Sequence, residues 1–160
     1  MVISQEIFKK KMKKIKLKLI KQNGGFIYNN DSFEVINEPK FIKKYKGKID
    51  LIITSPPFAL NSPKSYGNKE GDDFVEWFSN YAEPLANLLK KKGSIVIELG
   101  NSWTKGEPTM SLTTYEALSQ FMKKGGLKLC QEFIWNNTAK LPGPAQWVTK
   151  KRWRAKDSFT

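Results

Sequence analysis

Residues 49–58 read Ile-Asp-Leu-Ile-Ile-Thr-Ser-Pro-Pro-Phe, and this stretch decides how the whole sequence is interpreted. Its first part, Ile49–Thr54, is a short apolar run, typical of a strand that is buried in a parallel sheet. Pro56 and Pro57 then fix two φ angles and remove two backbone N–H donors, and they keep Ser55 out of helical geometry. The stretch therefore predicts a central strand that ends in a stiff turn, which presents a hydroxyl group and carbonyl oxygens.

Alternating helical and strand patterns surround this central strand. The predicted strands are a short one at Phe26–Tyr28, a second at Ser94–Leu99 and a third central strand at Leu127–Trp135. Residues 33–46 are predicted to form a helix or loop interrupted at Pro39. Helices are predicted over 72–91, stopped by Gly93, and over 111–124, closed by Gly125-Gly126. A succession of strands and helices is typical of parallel pairing with right-handed crossovers. The predicted fold class is therefore α/β, with a doubly wound, mostly parallel sheet.

The composition divides the chain into three predicted segments. Residues 1–24 are lysine-rich, residues 25–139 carry the α/β pattern, and residues 140–160 form a basic tail that contains aromatic residues. The apolar spacing in the first segment fits a helix and, at Ile15–Leu19, also a strand, so both structures stay open. Three roles stay open for this segment as well: contact with DNA phosphates, docking on a neighbouring domain, or a solvated arm.

The balance of charges indicates a polyanionic partner. The 28 Lys and Arg residues outnumber the 15 Asp and Glu residues, so that the formal charge is +13. A basic surface favours nucleic acid because neutralising phosphates releases counterions, although lysine can also serve only to solvate a surface. A single cysteine excludes an internal disulfide, and the lack of histidine removes the usual parts of zinc hydrolases and Ser-His-Asp enzymes. Without an apolar run of membrane-spanning length, we expect a cytoplasmic protein.

The turn after the central strand has the chemistry that an exocyclic amine requires. Active sites in open α/β sheets lie at the carboxyl ends of the strands. There the Ser55 hydroxyl and the carbonyl oxygens of Ser55 or Pro56 would accept hydrogen bonds from the two N–H groups of such an amine, which frees its lone pair. Phe58 would stack on a base that has been flipped out of the duplex. The alternative is an ordinary strand-to-loop turn that is terminated by prolines.

A carboxylate accompanies this turn if the next predicted strand is its neighbour in the sheet. Glu98 lies near the carboxyl end of the apolar run Ser94–Leu99, where a carboxylate is costly unless it has a partner or a task. Next to Ser55 it would accept a hydrogen bond from the amine or from the serine. The alternative is a carboxylate that is bound by loop N–H groups.

The basic tail is a second candidate for contact with nucleic acid. Lys150, Lys151, Arg152, Trp153 and Arg154 interleave positive charge with an aromatic ring, a pattern typical of a phosphate-contacting groove. The alternative is a strand or edge element that pairs with another part of the enzyme.

Several stretches in a fixed order carry a family resemblance. They are Asp50–Phe58 with Ala59-Leu60, Tyr66-Gly67-Asn68, Trp77-Phe78, Gly93-Ser94 and Lys140-Leu141-Pro142. Together they resemble the β-class amino-methyltransferases of restriction–modification systems, and in particular those that methylate cytosine at N4.

This resemblance implies the Rossmann-like fold of S-adenosylmethionine-dependent methyltransferases, with that molecule as cofactor and double-stranded DNA as substrate. It identifies Ser55–Phe58 as the catalytic motif and places Glu98 beside the serine. It also implies that Asp31 and Thr54 bind the cofactor. Serine before two prolines is typical of enzymes that act on cytosine N4, whereas aspartate is typical of those that act on adenine N6.

The sequence departs from the family in one respect. The family's cofactor motif, Phe-x-Gly-x-Gly, does not occur, and Glu98-Leu99-Gly100-Asn101 is its nearest approximation. We therefore expect a second polypeptide or a missing C-terminal half to supply that motif and the recognition elements. A split enzyme, a fragment and a gene remnant all fit. The alternative functions are adenine-N6 methylation, a non-catalytic DNA-binding subunit and, more remotely, methylation of RNA or protein.

Overall fold

The computed structural model describes residues 19–59, 67–100, 102, 104, 107 and 109–135. The elements are β1 (Leu19–Gln22), β2 (Gly25–Tyr28), α1 (Ser32–Asn37), α2 (Pro39–Tyr45), β3 (Ile49–Thr54), α3 (Gly71–Ser79), α4 (Ala82–Leu88), β4 (Leu89–Ile97) and α5 (Thr113–Gly125). The chain separates into two compact units, Met1–Lys46 and Gly47–Thr160. The predicted division at 24/25 and 139/140 stays a prediction. None of the helices in the described part of the chain is long and apolar enough to cross a membrane.

The first unit begins with an antiparallel hairpin of β1 and β2, in which Leu19 pairs with Tyr28. Its turn consists of Asn23 and Gly24, which both have positive φ, at 48° and 78°. Two such residues suit the tight turn that matches the twist of paired strands. The last residues of the lead segment thus form a strand, Leu19–Gln22. Residues 1–18, which carry most of both the helical and the strand pattern, lie outside the described residues, so that choice stays open.

Two short helices follow the hairpin, and the predicted interruption at Pro39 is confirmed. Glu38 ends α1 and also begins α2, because its carboxylate accepts a hydrogen bond from the Phe41 N–H at 2.8 Å. Proline at the first position of α2 lacks an N–H that the helix would leave unpaired. The hydroxyls of Tyr28 and Tyr45 lie 3.3 Å apart, and this hydrogen bond, together with burial, raises the pKa of Tyr28 to about 12.

The second unit is built on the parallel pair of β3 and β4. The register aligns Leu51 with Ser94 and Thr54 with Ile97. Parallel pairing of these strands was predicted, and it is confirmed. The expected role of Gly93 as a helix stop is wrong, because this residue lies within β4. A Cβ atom there would come within 2.8 Å of the Ile49 carbonyl oxygen, so the close approach of the two strands requires glycine.

The helix predicted over 72–91 forms as two helices, α3 and α4, and it ends earlier than expected. Pro84 stands in the first turn of α4 and has no N–H to donate to the carbonyl of Asn80, so it cannot continue the hydrogen bonds of α3. Asn80 and Tyr81 keep near-helical angles between the two helices. Both helices pack against α5.

The core of the second unit lies between α3, α4 and α5. Its buried members are Ala59, Phe74, Phe78, Ala82, Ala117 and Phe121, and the side chains of Ile95, Ile97 and Leu99 pack against them. The helix α5 was predicted, as was its closing glycine pair. Gly126 adopts φ 62°, and the following Leu127 N–H donates to the Met122 carbonyl at 2.9 Å, which ends the helix.

The prediction of a third central strand at Leu127–Trp135 is wrong. This segment is described throughout but forms no ladder, and each sheet in the described residues has two strands. A strand requires a neighbour for its backbone hydrogen bonds, and local sequence does not show which neighbour is present. Leu127 is half-buried against the core, whereas the other apolar side chains of the segment, Leu129, Phe133, Ile134 and Trp135, are exposed, as is Cys130, for which packing was expected.

Candidate functional site

The carboxyl ends of β3 and β4 lie side by side, as an active site in this region requires. The Glu98 N–H donates to the Thr54 carbonyl oxygen at 3.0 Å, directly after the last registered pair, Thr54 with Ile97. Continuing this register by one residue aligns Ser55 with Glu98. The expectation that these two residues follow neighbouring strands is therefore confirmed.

Both residues continue the side of the sheet that faces away from the core. On this side Leu51, Ile53 and Val96 are 50%, 72% and 50% exposed. Side chains alternate along strands, so Ser55 and Glu98 extend this open face, and both are exposed. The cost expected for burying the Glu98 carboxylate therefore does not arise. Within the described part of the chain, neither side chain takes part in a hydrogen bond or an ion pair, so both are available to a ligand.

Phe58 lies in the short segment that leads from Ser55 to the core. The two prolines before it are half-buried, and Ala59 after it belongs to the buried cluster. Its ring lies against the backbone of Gly100: a Cβ atom on that residue would come within 2.5 Å of Phe58 Cδ2 and 2.7 Å of Cε2. From the sequence, Gly100 was expected only as part of an approximate cofactor motif, and its contact with Phe58 was not predicted. A glycine directly after a strand was the available signal.

Asp50, the first polar residue of the motif stretch, stands at the opposite end of β3 from Ser55. Its carboxylate binds Lys90 Nζ at 2.7 and 2.8 Å, and both side chains are largely exposed. An exposed pair of this kind contributes about 0–1 kcal/mol. Asp50 is therefore a surface residue of the strand and does not belong to the candidate site.

The two predicted cofactor residues lie in different units. Asp31, in the first unit, is the N-cap of α1, where Oδ1 accepts hydrogen bonds from the N–H groups of Phe33 and Glu34 at 2.9 and 3.1 Å. Thr54, in the second unit, is half-buried at the end of β3. The capping bonds give Asp31 a structural task, and the cofactor roles of both residues stay predictions.

Asp31→Ala is expected to destabilise α1 by about 1 kcal/mol, because both capping bonds are lost. Amide hydrogen exchange at Phe33 and Glu34 would then accelerate about five-fold. Asp31→Asn retains an oxygen acceptor and is expected to leave exchange almost unchanged. Equal acceleration in the two variants would show that the cap does not stabilise this helix.

The remaining predicted site residues, Lys150, Lys151, Arg152, Trp153 and Arg154, lie outside the described residues. In the part of the chain that the structure does describe, no group of His, Cys, Asp or Glu side chains is arranged to hold a metal ion.

The fold and the position of its polar motif define an α/β domain with a site at the carboxyl ends of parallel strands. A family model described as DNA methylase matches residues 49–158. This chain therefore belongs to the DNA methylase family, and the resemblance seen in its motifs is confirmed.

Two similar proteins agree with this assignment. The chain is 37% identical over 136 residues to "Type II methyltransferase M.PvuII" of Proteus hauseri, a match that covers 85% of this chain and 39% of that protein. A solved structure, the PvuII DNA methyltransferase (cytosine-N4-specific), is similar with a TM-score of 0.62 and 36% sequence identity. The match covers 81% of this chain and 44% of the chain of that structure. The chain thus spans about two-fifths of the length of these relatives.

Proposed function

We propose that this chain is the catalytic part of a restriction–modification methyltransferase, which transfers a methyl group from S-adenosylmethionine to N4 of cytosine in duplex DNA. The observation that carries the proposal is the placement of Ser55 and Glu98 at adjacent strand ends, on an open face of the sheet. Membership of the DNA methylase family supports DNA as substrate. The cytosine-N4 specificity named for the similar solved structure supports the choice of base.

The site suits a weakly nucleophilic amine. The lone pair of the cytosine N4 is delocalised into the ring, and hydrogen bonds accepted from its two N–H groups would localise it. The Ser55 hydroxyl and the carbonyl oxygens of Ser55 or Pro56 would be these acceptors, because the two prolines leave no N–H donor to compete. The Glu98 carboxylate would stabilise the positive charge that develops on the nitrogen, as preorganised groups do where charge appears in a transition state.

When bound, S-adenosylmethionine would supply the methyl group, so that a nitrogen–carbon bond forms, a carbon–sulfur bond breaks and one proton leaves the amine. Thr54, directly before the catalytic serine, and Asp31 are this chain's proposed contacts to the cofactor. Because the sequence contains no Phe-x-Gly-x-Gly motif, the glycine-containing part of the cofactor site would come from elsewhere in the enzyme.

The open side of the sheet is the surface where we place the rest of the enzyme. Parallel sheets are normally covered on both faces, yet Leu51, Ile53 and Val96 are at least half exposed. A partner that covers this apolar face, whether a second polypeptide or the remaining part of one longer chain, would also bring its motif close to Ser55. The formal charge of +13 and the basic residues Lys150–Arg154 support contact of the assembled enzyme with DNA phosphates.

The test is methyl transfer from labelled S-adenosylmethionine to unmodified duplex DNA, followed by identification of the methylated nucleoside. It compares this chain alone with the chain joined to, or expressed with, the remaining part of the enzyme, here called the assembled methylase. We expect N4-methylcytosine from the assembled methylase and almost none from the chain alone. Ile53→Lys is a matched control, because a charge at this exposed position should leave the fold intact and prevent assembly.

Each part of the proposal has its own contradicting outcome. N6-methyladenine as product would overturn the base specificity. Full activity of the chain alone would overturn the need for a partner. Absence of any methylated base with the assembled methylase would favour a DNA-binding subunit or remnant, and binding of duplex DNA that survives Ser55→Ala would then support that alternative.

A further inference from the structure

A buried hydroxyl group on α5 connects the core to the Phe58 ring. The Thr114 Oγ1 donates a hydrogen bond to the Gly100 carbonyl oxygen at 3.1 Å, and its residue is only 8% exposed. The same Gly100 backbone contacts the Phe58 ring, and any side chain at this position would collide with it. Two successive contacts thus join Thr114 to an aromatic ring of the catalytic motif.

The start of this connection is held firmly in place. Thr114 lies one turn before Ala117 on α5, and Ala117 and Phe121 are both fully buried in the core cluster. The loop after β4 is also bonded to the segment directly before α5, since the Ser111 N–H donates to the Ser102 carbonyl at 2.8 Å. The position of Gly100 therefore follows that of α5.

We propose that Thr114 is a positioning residue for Phe58. Its hydrogen bond holds the Gly100 backbone where that backbone limits rotation of the ring, so the ring is already oriented when a flipped base arrives. The catalytic part of this inference rests on the proposed function, in which Phe58 stacks on the target base. The contact itself exists in this chain and can be measured without activity.

The first measurement is solution NMR of the chain alone. One α-hydrogen of Gly100 points at the Phe58 ring, so we expect an upfield ring-current shift and a nuclear Overhauser effect between them. Thr114→Val has nearly the same shape but cannot donate a hydrogen bond, and it should weaken both signals. Thr114→Ser keeps the hydroxyl and should preserve them. Gly100→Ala should abolish the contact directly, even with Thr114 in place.

The second measurement is steady-state kinetics of the assembled methylase. A neutral hydrogen bond of ordinary strength corresponds to an effect of about five-fold to ten-fold. We expect Thr114→Val to lower kcat/KM for DNA by that amount and Thr114→Ser to retain the wild-type value. Gly100→Ala should lower kcat/KM further than Thr114→Val does.

These two measurements separate failure of the inference from failure of the proposed function. An unchanged ring contact in Thr114→Val would overturn the positioning role, whatever the activity. Equal loss of the contact in Thr114→Ser and Thr114→Val would assign the effect to packing and would also overturn it. If the ring contact depends on the Thr114 hydroxyl, the positioning of Phe58 is supported. If the wild-type enzyme nevertheless methylates no base, the proposed function is contradicted.

Discussion

Ser55→Ala should lower the kcat of the assembled methylase about 100-fold to 1,000-fold, the range seen when one preorganised hydrogen-bonding group is removed from a charged transition state. The Ser55 hydroxyl lies at the end of β3 and is exposed, with no side-chain partner among the described residues. Its loss therefore removes an acceptor for the amine without disturbing the core. The measurement is steady-state methyl transfer from labelled S-adenosylmethionine over a range of DNA concentrations, which gives kcat and KM separately.

Ser94→Ala is the matched control for this substitution. Ser94 is also an exposed serine on the open face of the sheet, but it pairs with Leu51, farther from the carboxyl ends of the strands. We expect it to retain wild-type kcat and the same urea midpoint. A rise in KM for DNA at unchanged kcat in Ser55→Ala would mean that the hydroxyl only binds substrate, which contradicts the proposed chemistry.

The parts of this structure that could be predicted from sequence are those with local signals. The apolar run before Ser55 predicted β3, and the proline pair predicted where that strand ends. The glycine pair at 125–126 predicted the end of α5. From the order of strands and helices, parallel pairing followed, and with it the position of Glu98 beside Ser55. Two local signals were available but missed, the Asn23-Gly24 hairpin turn and Pro84 within the predicted helix.

Features that depend on distant neighbours were not predictable in this way. Leu127–Trp135 has the composition of a strand, but a strand forms only where another strand pairs with it, and the described residues supply none. The exposure of Glu98 likewise depends on what covers the open face. The contact between Phe58 and Gly100 requires β3 and β4 to be paired first, and Thr114 gives no sign in the sequence that its hydroxyl reaches that glycine.

Phe121→Ala is expected to lower the free energy of unfolding of the second unit by about 3–5 kcal/mol, as for other fully buried phenylalanines. Its ring is 1% exposed and stacks on Phe78 with centroids 4.7 Å apart. This contact joins α5 to α3, so the substitution opens a cavity between the helices that form the core. Domains of this size have only about 5–15 kcal/mol of stability, and the loss would be a large part of it. Urea denaturation followed by circular dichroism measures the change.

Phe133→Ala removes the same number of atoms from a ring that is 80% exposed, and it should change stability by no more than about 0.5 kcal/mol. Amide hydrogen exchange in α3 adds a local test, since Phe121→Ala should accelerate it and Phe133→Ala should not. Because α5 also carries Thr114, loosening this helix should weaken the Gly100 contact with Phe58 in the variant that remains folded. Equal destabilisation by the two substitutions would show that α5 does not pack on α3. The proposed positioning of the Phe58 ring by Thr114 on α5 would then be contradicted as well.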